Sequence, residues 1–185
     1  MTRALLEASI QELAANGYEK TTVSAIARRA RTSKQAVYRR FEDKEALIAA
    51  AVSAAFQAAA PGPPQRGSVA ADLRRCLGEL AVAFRETPLG GAVRALLPHR
   101  SRPRLAAILS EAEAGQRLVM RQILLATPFE TDMEARIDLL LGLVYFRLLF
   151  GIGDVGERDL ETAIYLVLGL VAPQEPAGAE TLPGM

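Results

Sequence analysis

Between Arg28 and Lys44 the chain carries seven basic side chains, Arg28, Arg29, Arg31, Lys34, Arg39, Arg40 and Lys44, against two acidic ones, Glu42 and Asp43. The chain as a whole is close to neutral, with a formal charge of +1, so this positive charge is local. Such an excess is the electrostatic footprint expected of phosphate binding. Charge runs are more often solvated helix faces, but this one is interleaved with groups that suit nucleic acid. Tyr38 and the hydroxyls of Thr22, Thr32 and Ser33 can donate to phosphate oxygens, which positions a protein without specifying sequence. Gln35 can bond adenine bidentately, Lys34 can reach guanine acceptors, and the Ala36 methyl can pack on a thymine methyl. Arg39, Arg40 and Lys44 complete the candidate DNA-binding set.

Other reactive side chains form no constellation. His99 is the single histidine, with no second ligand at metal spacing, and Cys76 lies on an apolar stripe as a small core residue. The sequence shows no catalytic set, no phosphate-cradling glycine loop after a strand and no metal cluster, so neither an enzyme nor a cofactor is expected.

The elements that must position the basic stretch are short helices. Thr21-Thr22 precedes Val23, Ile26, Ala27 and Ala30, apolar positions at helical spacing, and a threonine there is a good N-cap. After a break at Arg31-Thr32, Ser33 caps a second short helix predicted over 34–40, with Val37 and Phe41 facing inward. Asp43 is the expected N-cap of a third helix, whose free N–H groups together with Lys44 would form a phosphate clamp. Two small helices joined by a tight turn make a helix-turn-helix, whose second helix can enter the major groove.

Across Leu5 to Leu47 the ordered set Gly17-Tyr18, Thr21-Thr22, Ile26-Ala27, Ser33-Lys34, Val37-Tyr38, Phe41 and Lys44-Glu45-Ala46-Leu47 resembles the N-terminal domain of the TetR/AcrR family of dimeric transcriptional repressors. The resemblance implies DNA contacts at Thr22, Ser33, Lys34, Gln35, Ala36, Tyr38, Arg40 and Lys44. Two positions depart from the pattern. Arg31 stands where the family usually has glycine, so the turn is either reshaped or strained by roughly 1 kcal/mol or more. Thr32 replaces a small apolar residue.

The remainder reads as an all-α chain of 185 residues, half of them hydrophobic. Residues 1–50 carry a net +3 and residues 51–185 a net −2, so the two parts have different electrostatic work. A three-helix helix-turn-helix domain is assigned to 1–46, a larger helical ligand-binding and dimerisation domain to 47–172, and a disordered tail to 173–185. Pro61 to Pro64 is the clearest break, and the domain junction is placed inside the helix from Lys44 to Ala60. Further helices are predicted over about 69–84, 92–97 (after a break at Pro88 and Gly90-Gly91), 105–125, 132–150 and 157–171. Between them, the basic loop from His99 to Arg104 reads best as solvated.

The 132–150 helix is apolar almost all round and must be buried on every face. A central core helix or pairing with a second copy would each achieve this. The resemblance favours a homodimer through 132–150 and 157–171, reading a pseudo-palindromic operator. Phe84, Met120 and Leu124 can line a cavity or fill a core. Tyr145 and Arg147, polar groups on an apolar helix, need a ligand, a carboxylate such as Asp138 or Asp154, or solvent. These five are the candidate ligand-binding residues for a small apolar or amphipathic effector.

With one cysteine, no visible secretory signal and no apolar run long enough to span a bilayer, a cytoplasmic protein without membrane contact is expected. The function expected is a ligand-responsive repressor. The other reading is a helical binding module whose DNA-binding motif has decayed, supported by Arg31 alone.

Overall fold

A computed structural model describes residues 2–170; Val171 and the tail from 173 to 185 lie outside the described residues, and so does the expectation that the tail is disordered. Every regular element described is a helix. In order these are α1 (Thr2–Lys20), α2 (Val23–Arg29), α3 (Lys34–Tyr38), α4 (Lys44–Ala58), α5 (Val69–Glu86), α6 (Pro88–Leu96), a 3-10 turn (Leu97–His99), α7 (Pro103–Leu124), α8 (Met133–Phe150) and α9 (Glu157–Leu168).

Side-chain caps set several helix starts. Thr22 Oγ1 accepts from the Ala25 N–H at 3.1 Å, Ser33 Oγ from the Ala36 N–H at 3.1 Å, and Asp43 Oδ1 from the Ala46 N–H at 2.7 Å. Each satisfies a backbone donor that the first turn leaves orphaned. Gly17, at φ 75°, breaks the helical path of α1 where the sequence places a C-cap, and the chain then turns into α2.

Two apolar cores result. The smaller holds Leu5 and Ala8 of α1, Val23, Ile26 and Ala27 of α2, Val37 of α3 and Leu47 of α4. The larger gathers Ile10, Leu13 and Tyr18 of α1, Ile48, Val52 and Phe56 of α4, and the inner faces of α5 to α9. Both α1 and α4 therefore serve two cores, and on α4 the change falls between neighbours Leu47 and Ile48.

Three predicted boundaries shift. The second helix of the motif, expected over 34–40, is α-helical only to Tyr38; the Arg40 N–H bonds the Val37 carbonyl and tightens the last turn. The last helix stops at Leu168 rather than 171. Gly169 at φ 67° ends it, with the Leu170 N–H on the Tyr165 carbonyl and the Gly169 N–H on the Leu166 carbonyl.

The third correction concerns Pro88 and Gly90-Gly91, expected to break the chain ahead of a helix from Ala92. Instead α6 begins at Pro88, because proline is tolerated in a first helical turn. The glycines are there for close approach: a Cβ on Gly90 would sit 2.1 Å from the Phe84 carbonyl oxygen, and one on Gly91 would sit 3.0 Å from the Ala14 Cβ of α1. Gly90→Ala is expected to destabilise the fold by at least the roughly 1–3 kcal/mol of an overpacked core, read as a lower urea midpoint, since the clash is with backbone that cannot swing away.

Candidate nucleic-acid interface

On α3 the side chains of Lys34, Gln35 and Tyr38 are exposed, as are Ser33 before it and Arg39 and Arg40 after it. Tyr38 is 48% exposed and the Lys34 ammonium lies 5.7 Å from its ring centroid. Val37, 1% exposed, anchors the opposite side of α3 in the small core. Thr22 is exposed at the start of α2 and Thr32 is half-buried in the turn. One polar and basic face thus projects from a rigid motif.

Three residues of the candidate set are arranged otherwise than their side-chain chemistry suggests. Ala36 is 5% exposed, so its methyl packs inside the motif and has little surface to offer a thymine. The Lys44 ammonium folds back to donate to the Tyr18 carbonyl at 3.0 Å and lies 4.1 Å from the Tyr18 ring centroid. Arg40 Nη1 donates to the Ala36 carbonyl at 3.0 Å, which fixes its guanidinium beside α3.

The turn keeps its shape in spite of Arg31. The Thr32 N–H bonds the Ala27 carbonyl at 2.9 Å and the Arg31 N–H bonds the Arg28 carbonyl at 3.2 Å, the two bonds of a Schellman end to α2. Arg31 itself sits at φ 52°. Of the two outcomes open from the sequence, the backbone takes strain.

Behind this face lies an ionic seam that the sequence reading missed. Arg102 Nη1 pairs with Glu45 Oε1 at 3.0 Å, and Arg104 pairs with Asp43 at 2.6 Å and Glu42 at 3.2 Å. Tyr18, 2% exposed, donates its hydroxyl to Glu45 at 3.0 Å and has the Arg102 guanidinium 5.0 Å from its ring centroid and the His99 ring 4.7 Å away. The loop from His99 to Arg104, expected to be solvated, is instead docked on the start of α4. Hydrogen bonds from Arg102 and Tyr18 hold the Glu45 carboxyl below its ordinary value of 4.5. Burial, with Glu45 adding to it, pushes the Tyr18 phenol up to about 12.

The five candidate ligand residues do not converge. Met120 and Leu124 are fully buried and fill the core. Phe84 and Arg147 border a cavity of about 270 Å³ between α5, α6 and α8; there Arg147 bonds the Asp154 carbonyl at 3.1 Å and pairs with Asp159 at 3.2 Å. Tyr145 borders a separate cavity of about 290 Å³ with Phe56, Leu109, Arg117, Asp138 and Leu141. Burial pushes its phenol up to about 12. A third cavity, about 280 Å³, lies between α4 and α7 and includes Phe56, Ile108 and Gln116. Phe56 meets Phe84 edge-on at 6.2 Å, and Phe84 meets Tyr145 at 5.4 Å, so an aromatic chain runs among the three.

A capped helix-turn-helix seated on a helical bundle by a shared helix is the architecture of a one-chain DNA-binding regulator. The comparisons give the particular family. The profile of bacterial regulatory proteins of the tetR family matches residues 5–51, and that of the tetracyclin repressor-like C-terminal domain matches residues 63–167. The chain belongs to the TetR family of transcriptional regulators.

An uncharacterised HTH-type transcriptional regulator of Mycobacterium tuberculosis is 35% identical over 122 residues, a stretch that spans 65% of this chain and 59% of that relative. The crystal structure of the TetR family transcription regulator SCO0332 superposes with a TM-score of 0.69 at 25% identity, covering 93% of this chain and 99% of its own. FadR from Bacillus subtilis, solved in complex with stearoyl-CoA, shares the fold at a TM-score of 0.75 and 13% identity, over 92% of this chain and all of its own. Among the described residues no helix is long and apolar enough to cross a membrane.

Two outcomes follow from the geometry of the motif. Arg31→Gly is expected to raise stability by about 1 kcal/mol, the cost of a side chain in the left-handed region, checked by the urea midpoint. Glu45 contributes stability that is fully present above its ordinary 4.5 and is lost as pH falls toward its depressed folded value. Between pH 6 and pH 3 the urea midpoint of the native chain is expected to fall more steeply than that of Glu45→Gln.

Proposed function

We propose that the chain is a repressor that binds a pseudo-palindromic operator as a homodimer and is released by a small apolar or amphipathic ligand taken into its helical domain. The observation that carries the reading is the exposed face of α3, with Lys34, Gln35, Tyr38 and Arg39 presented from a motif whose caps at Thr22 and Ser33 are both formed. Gln35 and Lys34 read bases; Thr22, Thr32, Ser33, Tyr38, Arg39 and Arg40 hold phosphates, and Ala36 supports them from inside. Lys44 retains two donors beyond its bond to Tyr18 and can reach a phosphate at the start of α4. The intact Schellman turn weighs against a decayed motif.

Dimerisation is supported by what α8 and α9 leave uncovered. Leu139 is 65% exposed, Phe146 52%, Phe150 68% and Leu166 74%, while Ile137, Leu140, Leu141 and Val144 take up the inner side of α8. Large apolar side chains grouped this way mark an interaction surface. A two-fold pairing of these faces sets the α3 helices about 34 Å apart or somewhat more, one turn of DNA.

Release is supported by the path of α4. Its first turn is tied to the reading motif, and its Phe56 borders two of the cavities. A ligand that favours a displaced α4 lowers DNA affinity by its coupling energy, typically about 1–3 kcal/mol. The working division is a reading domain over 1–46 and a ligand and dimer domain over 47–172, in a cytoplasmic protein.

Selection of bound sequences from a random DNA pool is expected to enrich an inverted repeat; a folded protein that enriches nothing would overturn the reading. Lys44→Ala is expected to weaken binding on all sequences and to lower the salt slope by about one, whereas Gln35→Ala relaxes preference at one position in each half-site.

A further inference from the structure

The cavity between α4 and α7 contains a polar group whose bonding the fold leaves unfinished. Gln116, in the middle of α7, is 3% exposed, and its Oε1 is buried with no hydrogen-bond partner. A buried acceptor left in this state costs about 1–3 kcal/mol, so such groups are almost always satisfied. Gln116 borders a space of about 280 Å³, close to the lower end of small-molecule pockets at about 300 Å³. Phe56, Ile108, Ala112 and Pro61 supply apolar wall. Gly115, also at the border, faces open space: a Cβ there would meet nothing within 4 Å.

The charge at the border narrows the chemistry further. Its one ionisable side chain is Glu111, exposed at the rim, and no lysine or arginine borders the space. A carboxylate or phosphate brought here would face a second negative charge and an unpaired carbonyl oxygen, with no cation to offset its desolvation. An uncharged donor, by contrast, completes Gln116 while the rest of the molecule covers Phe56 and Ile108.

We propose that this cavity is a binding site for a compact, uncharged, largely apolar molecule that donates one hydrogen bond, from a hydroxyl or a ring N–H, to Gln116 Oε1. The site would lie beside both helices of the ionic seam, since α4 carries Asp43 and Glu45 at its start and α7 follows directly on Arg102. Its use as the effector site rests on the repressor reading above; the binding site itself does not.

The test uses the full chain and two matched pairs of compounds, indole with 1-methylindole and 2-naphthol with 2-methoxynaphthalene, each titrated by calorimetry. Indole-3-carboxylate serves as the anionic control. The donor of each pair is expected to bind about tenfold more tightly than its methylated partner, and the carboxylate not to bind. Gln116→Leu keeps the volume and removes the acceptor, so the ratio within each pair is expected to collapse toward one while the apolar contribution survives. Gly115→Leu fills the space from a helical position with room for it and is expected to abolish binding of all four.

Neither substitution is expected to lower the melting temperature, because one removes an orphaned polar group and the other replaces a helical glycine. A ratio near one in the native chain, a ratio that survives Gln116→Leu, binding undiminished by Gly115→Leu, or no binding at all would each overturn the site. DNA affinity measured with saturating indole then bears only on the repressor reading. Discrimination at Gln116 with no change in DNA affinity keeps the site and removes its role in release.

Discussion

Adjacent residues of one helix, Leu47 and Ile48, are both fully buried and belong to different cores. One helical step of about 100° turns the first toward the reading motif and the second toward the bundle. The helix cannot rotate or slide to suit one core without disturbing the other, because close-packed interiors do not deform continuously. Much of what the chain can do depends on that constraint. The orientation of α3 is set through α4, and the packing of α4 is set by α1, α6 and α7.

The ionic seam acts on the same helix from outside. Three carboxylates at the start of α4, those of Glu42, Asp43 and Glu45, face two arginines delivered by the start of α7. Pairs this exposed contribute little stability one by one. Their larger effect is on charge: they neutralise acids that stand next to a DNA-facing surface. Tyr18 gives the seam a buried base, so it reports on the interior as well as the surface. Helix α7 therefore reaches α4 at both ends, by charge at the first turn and by apolar contact around Phe56.

Strain and incomplete bonding are concentrated at two positions that the fold tolerates for different reasons. Arg31 occupies a left-handed position because the two Schellman bonds and the packing of α2 and α3 dictate the backbone there. Gln116 is tolerated in the bundle because it lies beside a space where a partner can be placed.

The all-helical class, the caps at Thr22, Ser33 and Asp43, the turn at Gly17 and the exposed row on α3 were all legible in the sequence, since each depends on residues within a few positions of one another. The same holds for the apolar excess of α8, although its division into a buried and an exposed side depended on neighbours. Composition misled where distant chain supplied the reason. Gly90 and Gly91 read as breakers, yet they are small because Phe84 and α1 pass close by. Arg102 and Arg104 read as solvated, but their partners lie about sixty residues earlier. Phe84, Met120, Leu124, Tyr145 and Arg147 share a helical stripe pattern, and periodicity fixes which way a side chain faces without saying whether it meets another side chain or empty space. Local backbone chemistry determined the motif; the separation of core from cavity was decided only when α4, α7 and α8 were packed together.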